Sequence, residues 1–261
     1  MDIVSLASGS KGNAYLAGVG GKWLLIDDGL SYRTFAKLLG AALIAPDDIV
    51  GAVFTHEHDD HVKGVEMLAK KLPELPLFAN AMTADAIAEK CGVELDRFYL
   101  FENGQEFEVG PFTVHPFSIP HDVVDPVGYL VKAQGETYFH CTDCGTPIAS
   151  VGLKLAEADY ALLESNHDPV MLHNSNRAEP LKQRIRGPRG HLSNFDAAEL
   201  VEKYATPKLK ALALAHLSEE CNAPHLAEKT MREALAKKRL NAVDLVVLSQ
   251  GEIKWLKNCR K

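Results

Sequence analysis

The chain has 261 residues, 46% of them hydrophobic and 24% charged, and a formal net charge of −7. Those proportions are ordinary for a globular protein and allow a core of useful size. The acidic balance excludes a general polyanion binder, whose whole surface would be basic, but not a nuclease, because a local basic patch or bound cations can meet a phosphate.

No apolar run reaches 18 residues, so no membrane partner is expected. The start, Met1-Asp-Ile-Val-Ser5, lacks the basic and apolar stretches of a signal peptide, which sets the cytoplasm as the expected location. Residues Asp2 to Leu6 read as a strand, followed by the turn-rich loop Ser8-Gly-Ser-Lys-Gly-Asn13. Ala14 to Leu16 and Lys22 to Asp27 read as strands joined through Gly18-Val-Gly-Gly21. Ser31 to Leu39 has helical character, with Ser31 as N-cap. Ile49 to Phe54 is a short apolar run of the kind found in buried strands.

Helical periodicity spans Val62 to Lys71 and Ala84 to Cys91. Phe107 to Phe117 predicts two strands around a Gly-Pro break, and Val127 to Lys132 with Thr137 to Cys141 predicts a hairpin around Gln134-Gly135. Strands are expected at Tyr160 to Leu163 and Leu212 to Ala215, and helices at Asp196 to Tyr204 and Glu228 to Lys237. A last hairpin is expected from Val243 to Leu248 and Glu252 to Leu256, turning at Gln250-Gly251. Strands with helices interspersed in both halves imply two packed sheets with helices outside. No repeat or low-complexity linker marks a boundary, so residues 1–261 read as one domain.

The five cysteines, Cys91, Cys141, Cys144, Cys221 and Cys259, are odd in number and scattered, which argues against a disulfide framework. Cys141 and Cys144 form an isolated C-x-x-C, read either as a redox pair or as two small buried residues flanking Asp143.

The chemistry concentrates in Thr55-His-Glu-His-Asp-Asp-His61, directly after an apolar strand. Imidazole and carboxylate suit zinc, manganese or iron. On an extended segment His56 and His58 point the same way and can reach one ion. Asp60 and His61 need a turn to serve a second. One loop cannot complete two shells, and His121, Asp143 and His216 each follow a predicted strand, at the carboxyl end where ligands collect in sheet-based sites.

The His-x-His-x-Asp-His run, a later His, a later Asp and a final His resemble the motif pattern of the metallo-β-lactamase superfamily. Further text resembles its YycJ/WalJ-type subgroup across most of the chain: Ser5-Leu-Ala-Ser-Gly-Ser-Lys-Gly-Asn13, Leu24-Leu-Ile-Asp27, Glu164-Ser-Asn-His-Asp168, Arg189-Gly-His-Leu-Ser-Asn194 and Ala215-His-Leu-Ser218. The resemblance implies an α/β fold, a four-layer αββα sandwich. It implies two divalent metal ions, zinc or manganese with iron as a further option. His56, His58 and His121 would hold one, Asp60, His61 and His216 the other, and Asp143 would bridge them.

The activity it implies is a phosphodiesterase or nuclease, a 5′-to-3′ exonuclease with DNA favoured over RNA, acting through a metal-bridging hydroxide oriented by Asp60. Glu164 and His191 resemble the Glu/His pair of RNase Z, with His191 as proton donor and Glu164 as its support. The bland reading makes the His191 segment a lead into the next helix, with Ser193 or Asn194 as N-cap. Ser10, Asn13, Ser193 and Asn194 are the candidate substrate contacts. Lys182-Gln-Arg-Ile-Arg-Gly-Pro-Arg189 is the most basic stretch, read either as a guide for a nucleic-acid backbone or as a solvated loop. His167 and Asp168 belong near the same site, without an assigned task. Two other functions stay open: a small-ester, thioester or lactone hydrolase on the same metals, and a metal-stabilised binding module. The residues carry no signal about oligomeric state.

Overall fold

The computed structural model describes residues 1–258; Cys259 lies outside the described residues. The chain divides into two compact units. The first takes Met1–Ser118, Val123–Gly135 and the segment from Gln250, and the second takes Ile119–Asp122 and Glu136–Ser249. No helix among the described residues is long and apolar enough to cross a membrane.

The first unit opens with β1 (Asp2–Ala7), β2 (Ala14–Val19), β3 (Lys22–Ile26), α1 (Tyr32–Ala41) and β4 (Ile49–Val53). It continues with α2 (Asp59–Val62), α3 (Val65–Lys71), β5 (Leu77–Asn80), α4 (Ala81–Cys91), β6 (Phe98–Phe101), β7 (Phe107–Val109), β8 (Phe112–Ser118) and β9 (Val127–Ala133). The second unit contains β10 (Glu136–Cys141), α5 (Ala149–Leu155), β11 (Tyr160–Glu164), α6 (Pro169–Asn174) and α7 (Glu179–Ile185). It ends with α8 (Asn194–Tyr204), β12 (Ala211–Ala215), α9 (Pro224–Lys237) and β13 (Asp244–Val247), after which β14 (Lys254–Lys257) returns to the first.

In the first unit the strands run in the order β14-β1-β2-β3-β4-β5-β6, antiparallel from β14 to β3 and parallel from β3 to β6. Val4, Leu6, Leu16, Leu25 and Phe54 join Phe35 and Leu39 of α1, Leu68 of α3 and Ile87 of α4 in one apolar core. β7, β8 and β9 form an antiparallel meander in the same unit. In the second unit β10, β11, β12 and β13 pair in parallel. β10, β11 and β12 therefore end at one edge: Cys141 sits opposite Leu163, and Glu164 opposite Ala215.

Two expected elements differ in kind. The helix from Val62 to Lys71 is two short helices, because Gly64 gives its N–H to Asp28 O (2.8 Å) instead of continuing the first helix. A Cβ at Gly64 would lie 2.3 Å from Asp28 Oδ2, so the break is also a close approach that admits only glycine. The expected hairpin at Gln250-Gly251 does not form: β13 pairs in parallel with β12, whereas β14 pairs antiparallel with β1. Gln250 is instead anchored on the early loop, accepting from Lys11 N (3.0 Å) and donating to Gly12 O (3.1 Å).

Candidate metal centre

In the first unit, β4 delivers Thr55 and the histidine loop at its carboxyl end. The buried Asp27, at the end of β3, organises that loop. Its Oδ1 accepts from Thr55 N (2.8 Å), and its Oδ2 accepts from Thr55 Oγ1 (2.8 Å) and from His61 Nδ1 (2.7 Å). With Nδ1–H committed to Asp27, His61 keeps Nε2 as a lone-pair donor. Thr55 Oγ1 lies 3.0 Å from His56 Nδ1. His56 Nε2 then lies 3.2 Å from His58 Nδ1, two ring nitrogens converging on one point.

Asn13 ties the Ser8–Asn13 loop to this site. Its side-chain nitrogen donates to Asp60 O (3.1 Å) and lies 3.1 Å from His61 Nε2, while its oxygen accepts from Gly9 N (2.9 Å) and Tyr15 Oη (3.0 Å). Asn13 is completely buried. These bonds tie Asp60 and His61 to the loop. Ser10 remains exposed in the loop.

Asp27 holds a left-handed backbone (φ 60°), at a cost of order 1–3 kcal/mol for a non-glycine residue. Its neighbour Asp28 is fully buried. Burial, offset in part by a bond from Leu30 N and reinforced by the charge of Asp27, pushes its carboxyl up to about 8. Neither residue was assigned a task from the sequence. The signals there are a strand, Leu24-Leu-Ile26, running into two consecutive carboxylates, and the place of Asp27 in the stretch that carries the resemblance.

In the second unit, Asp143, Glu164 and His216 stand at the shared edge of β10, β11 and β12. Together with His191 they offer ligand atoms within 4.8 Å of one another. Glu164 is fully buried and saturated: Oε2 accepts from Cys144 N (2.9 Å) and Leu192 N (3.0 Å), and Oε1 accepts from His191 Nδ1 (2.8 Å) and His216 Nδ1 (3.1 Å). That leaves Nε2 of both imidazoles free of Glu164. Asp143 Oδ1 lies 3.3 Å from His191 Nδ1, 3.5 Å from His216 Nδ1 and 3.8 Å from His121 Nε2. His121 gives its Nδ1–H to Gly190 O (3.0 Å) and so turns Nε2 toward Asp143. Asp143 (φ 56°) and His216 (φ 54°) are both left-handed, which concentrates backbone strain at the site.

Burial pushes the Glu164 carboxyl up, but the charge and hydrogen bond of His191 and the hydrogen bond of His216 outweigh it and hold the group below the usual glutamate value. Burial alone would lower the His191 imidazolium; the charge and hydrogen bond of Glu164, with the charge of Asp143, raise it above the ordinary histidine value.

The remaining expected residues frame this cluster. Ser193 caps α8 in a reciprocal pair with Asp196: its Oγ accepts from Asp196 N (3.1 Å), and its N–H donates to Asp196 Oδ2 (3.0 Å). Asn194 is buried, its oxygen accepting from Ser165 Oγ (2.6 Å) and Asn222 Nδ2 (2.9 Å), which ties its side chain into the framework. Asp168 caps α6 through bonds from Val170 N and Met171 N (both 2.9 Å). His167 is buried, its Nδ1 meets no hydrogen-bond partner among the described residues, and burial lowers its pKa, which keeps it neutral. Cys141 and Cys144 are buried free thiols. The bond to Cys144 and burial push the Cys141 thiol well above its usual value, as expected of inert small residues flanking Asp143.

The donor set suits divalent metals: each of His61, His121 and His216 gives one ring N–H to a fixed oxygen acceptor, the arrangement that orients an imidazole toward a cation. Asp27→Asn is expected to weaken metal binding about 10- to 100-fold, because an amide keeps one accepting oxygen and sets its N–H₂ against either Thr55 N or the pair Thr55 Oγ1 and His61 Nδ1. Metal titration of the purified variant checks this, and affinity equal to the parent's would remove Asp27 from the scheme.

Residues 22–216 match the family described as Beta-lactamase superfamily domain. The chain is 36% identical over 234 residues to Exodeoxyribonuclease WalJ of Streptococcus pneumoniae serotype 2, covering 88% of this chain and 87% of that protein. It is 34% identical to Exodeoxyribonuclease YycJ of Bacillus anthracis, covering 89% and 88%. Among solved structures, the metallo-beta-lactamase fold protein YhfI from Bacillus subtilis superposes with a TM-score of 0.69 at 17% identity, covering 98% of this chain and 100% of that one. At that identity the likeness shows the fold, and the expected α/β class with two sheets and flanking helices holds.

Proposed function

This chain belongs to the metallo-β-lactamase-fold superfamily, in its WalJ/YycJ-type subgroup, and from that premise we propose that it is a metal-dependent exonuclease that hydrolyses DNA from the 5′ end. The observation that carries the reading is that His61, His121 and His216, three histidines of the metal-ligand pattern, each have one ring nitrogen fixed on a protein oxygen, which sets the orientation of the ring. In this reading residues 1–261 are one catalytic domain in the cytoplasm. By the family pattern His56, His58 and His121 would hold one metal, Asp60, His61 and His216 a second, and Asp143 would serve both; zinc and manganese are the favoured ions, with iron as a further option. When bound, two such cations supply Lewis-acid stabilisation of phosphoryl oxygens and lower the pKa of a water.

The chain's own residues do the rest. Asp60 orients the attacking oxygen. His191 Nε2 donates a proton to the leaving oxygen, and Glu164 fixes the ring and favours its protonated form. Asn13 and Asn194 position, while Ser10 and the Ser193 segment are the candidates for phosphate contact.

A substrate panel with manganese or zinc tests the function: bis-p-nitrophenyl phosphate, a thioester and 5′-labelled duplex DNA. Release of labelled mononucleotide from DNA is expected, with turnover of the phosphodiester. Hydrolysis of the thioester alone would replace this reading with that of a small-ester hydrolase.

A further inference from the structure

We infer that Arg189 forms a phosphate subsite beside the catalytic histidine and anchors a backbone phosphate of the DNA next to the one being cleaved, an inference that rests on the nuclease reading. The basic stretch at 182–189 carries four cations, and the structure separates them. Lys182 Nζ donates to His173 O (2.7 Å), Arg184 pairs with Asp122, and Arg186 pairs with Glu179 (2.6 Å). These three are tied to the protein. Arg189 is exposed, and among the described residues no carboxylate or carbonyl engages its guanidinium.

Its backbone, by contrast, is held tightly. A Cβ on Gly145, two residues after Asp143, would lie 2.5 Å from Arg189 Cα and 2.5 Å from Pro188 O, so the two segments touch at a point only glycine permits. The next residue, Gly190, accepts from His121 Nδ1 (3.0 Å), and His191 N donates to Ile185 O (2.9 Å). Arg189 is thus a free guanidinium on a clamped backbone, one residue from the support of His121 and two from the proposed proton donor. A planar guanidinium suits bidentate binding of a phosphate, and a fixed backbone lowers the entropy lost on forming that contact. In a chain of net charge −7, a cation kept free at this position selects for an anionic substrate.

The test compares the parent protein with Arg189→Ala, Arg189→Glu and Arg189→Lys, and with Arg186→Ala as a control, on 5′-labelled duplex DNA with manganese at several salt concentrations. Arg189→Ala should raise KM for DNA by about 10- to 100-fold with a much smaller change in kcat, and flatten the salt dependence of kcat/KM by about one phosphate's worth. Arg189→Lys should recover part of the loss, Arg189→Glu should lose more, and Arg186→Ala should match the parent. If the parent cleaves DNA and Arg189→Ala and Arg189→Glu share its KM and salt dependence, the subsite is wrong and the nuclease reading stands. A parent that neither binds nor cleaves DNA overturns both.

Discussion

His191→Ala is expected to lower kcat on DNA by about 10²- to 10⁴-fold, the usual contribution of a positioned acid, while the protein keeps its full metal content. The argument turns on access. The side chain of His191 is 22% exposed, whereas those of Asp143, Glu164 and His216 are at 2% or less. Of the four groups gathered at this edge, it is the one a substrate can reach. Glu164 takes its Nδ1–H at 2.8 Å, so Nε2 is the nitrogen assigned to the proposed proton transfer. The raised pKa fits a group that must carry a proton to a leaving oxygen. Metal content measured beside kcat separates the roles: a variant that loses its metal would show that His191 is a ligand. Glu164→Gln should act in the same direction, since its two oxygens accept four bonds and an amide must turn an N–H₂ against donors.

Much of the candidate ligand set is legible in the sequence because its signals are local or sit at strand ends. The loop His56 to His61 is written in consecutive residues. His121, Asp143 and His216 follow apolar runs, and the carboxyl end of a buried strand is where a polar residue stands out. Asp27 was not assigned because its role exists only once β3 and β4 lie side by side and bring it to Thr55 and His61. The turn at Gln250 misled for a similar reason: the local pattern suits a hairpin, but the bonds to Lys11 and Gly12 come from the far end of the chain.

Helices were missed or shortened where proline opens them. α6 begins at Pro169, α7 has Pro180 in its first turn, and α9 begins at Pro224, four residues before the expected start. Proline lacks only an N–H that the first turn does not use, so there it starts a helix instead of breaking one. β5 and β6 are four residues each and gain stability from non-local parallel pairing, which periodicity does not reveal.

Asp143→Asn should abolish turnover and the thermal stabilisation that metal confers, without unfolding the metal-free protein. Asp143 Oδ1 lies within 4 Å of nitrogens of His121, His191 and His216, so removing its charge affects every proposed ligand in this unit. The left-handed backbone there (φ 56°) suits asparagine nearly as well as aspartate, so the substitution changes charge while sparing conformation. Asp143→Ala adds a backbone penalty of roughly 1–2 kcal/mol and should melt lower than Asp143→Asn even without metal.

At a metal concentration a hundred times its dissociation constant, binding to the parent contributes about 2.7 kcal/mol of stability, a rise of roughly 5–10 °C in Tm for a chain of this size. Thermal melts of the parent and both variants, with and without manganese, read all three effects at once. An Asp143→Asn protein whose Tm still rises with metal, and which still cleaves DNA, would show that the carboxylate is not a ligand.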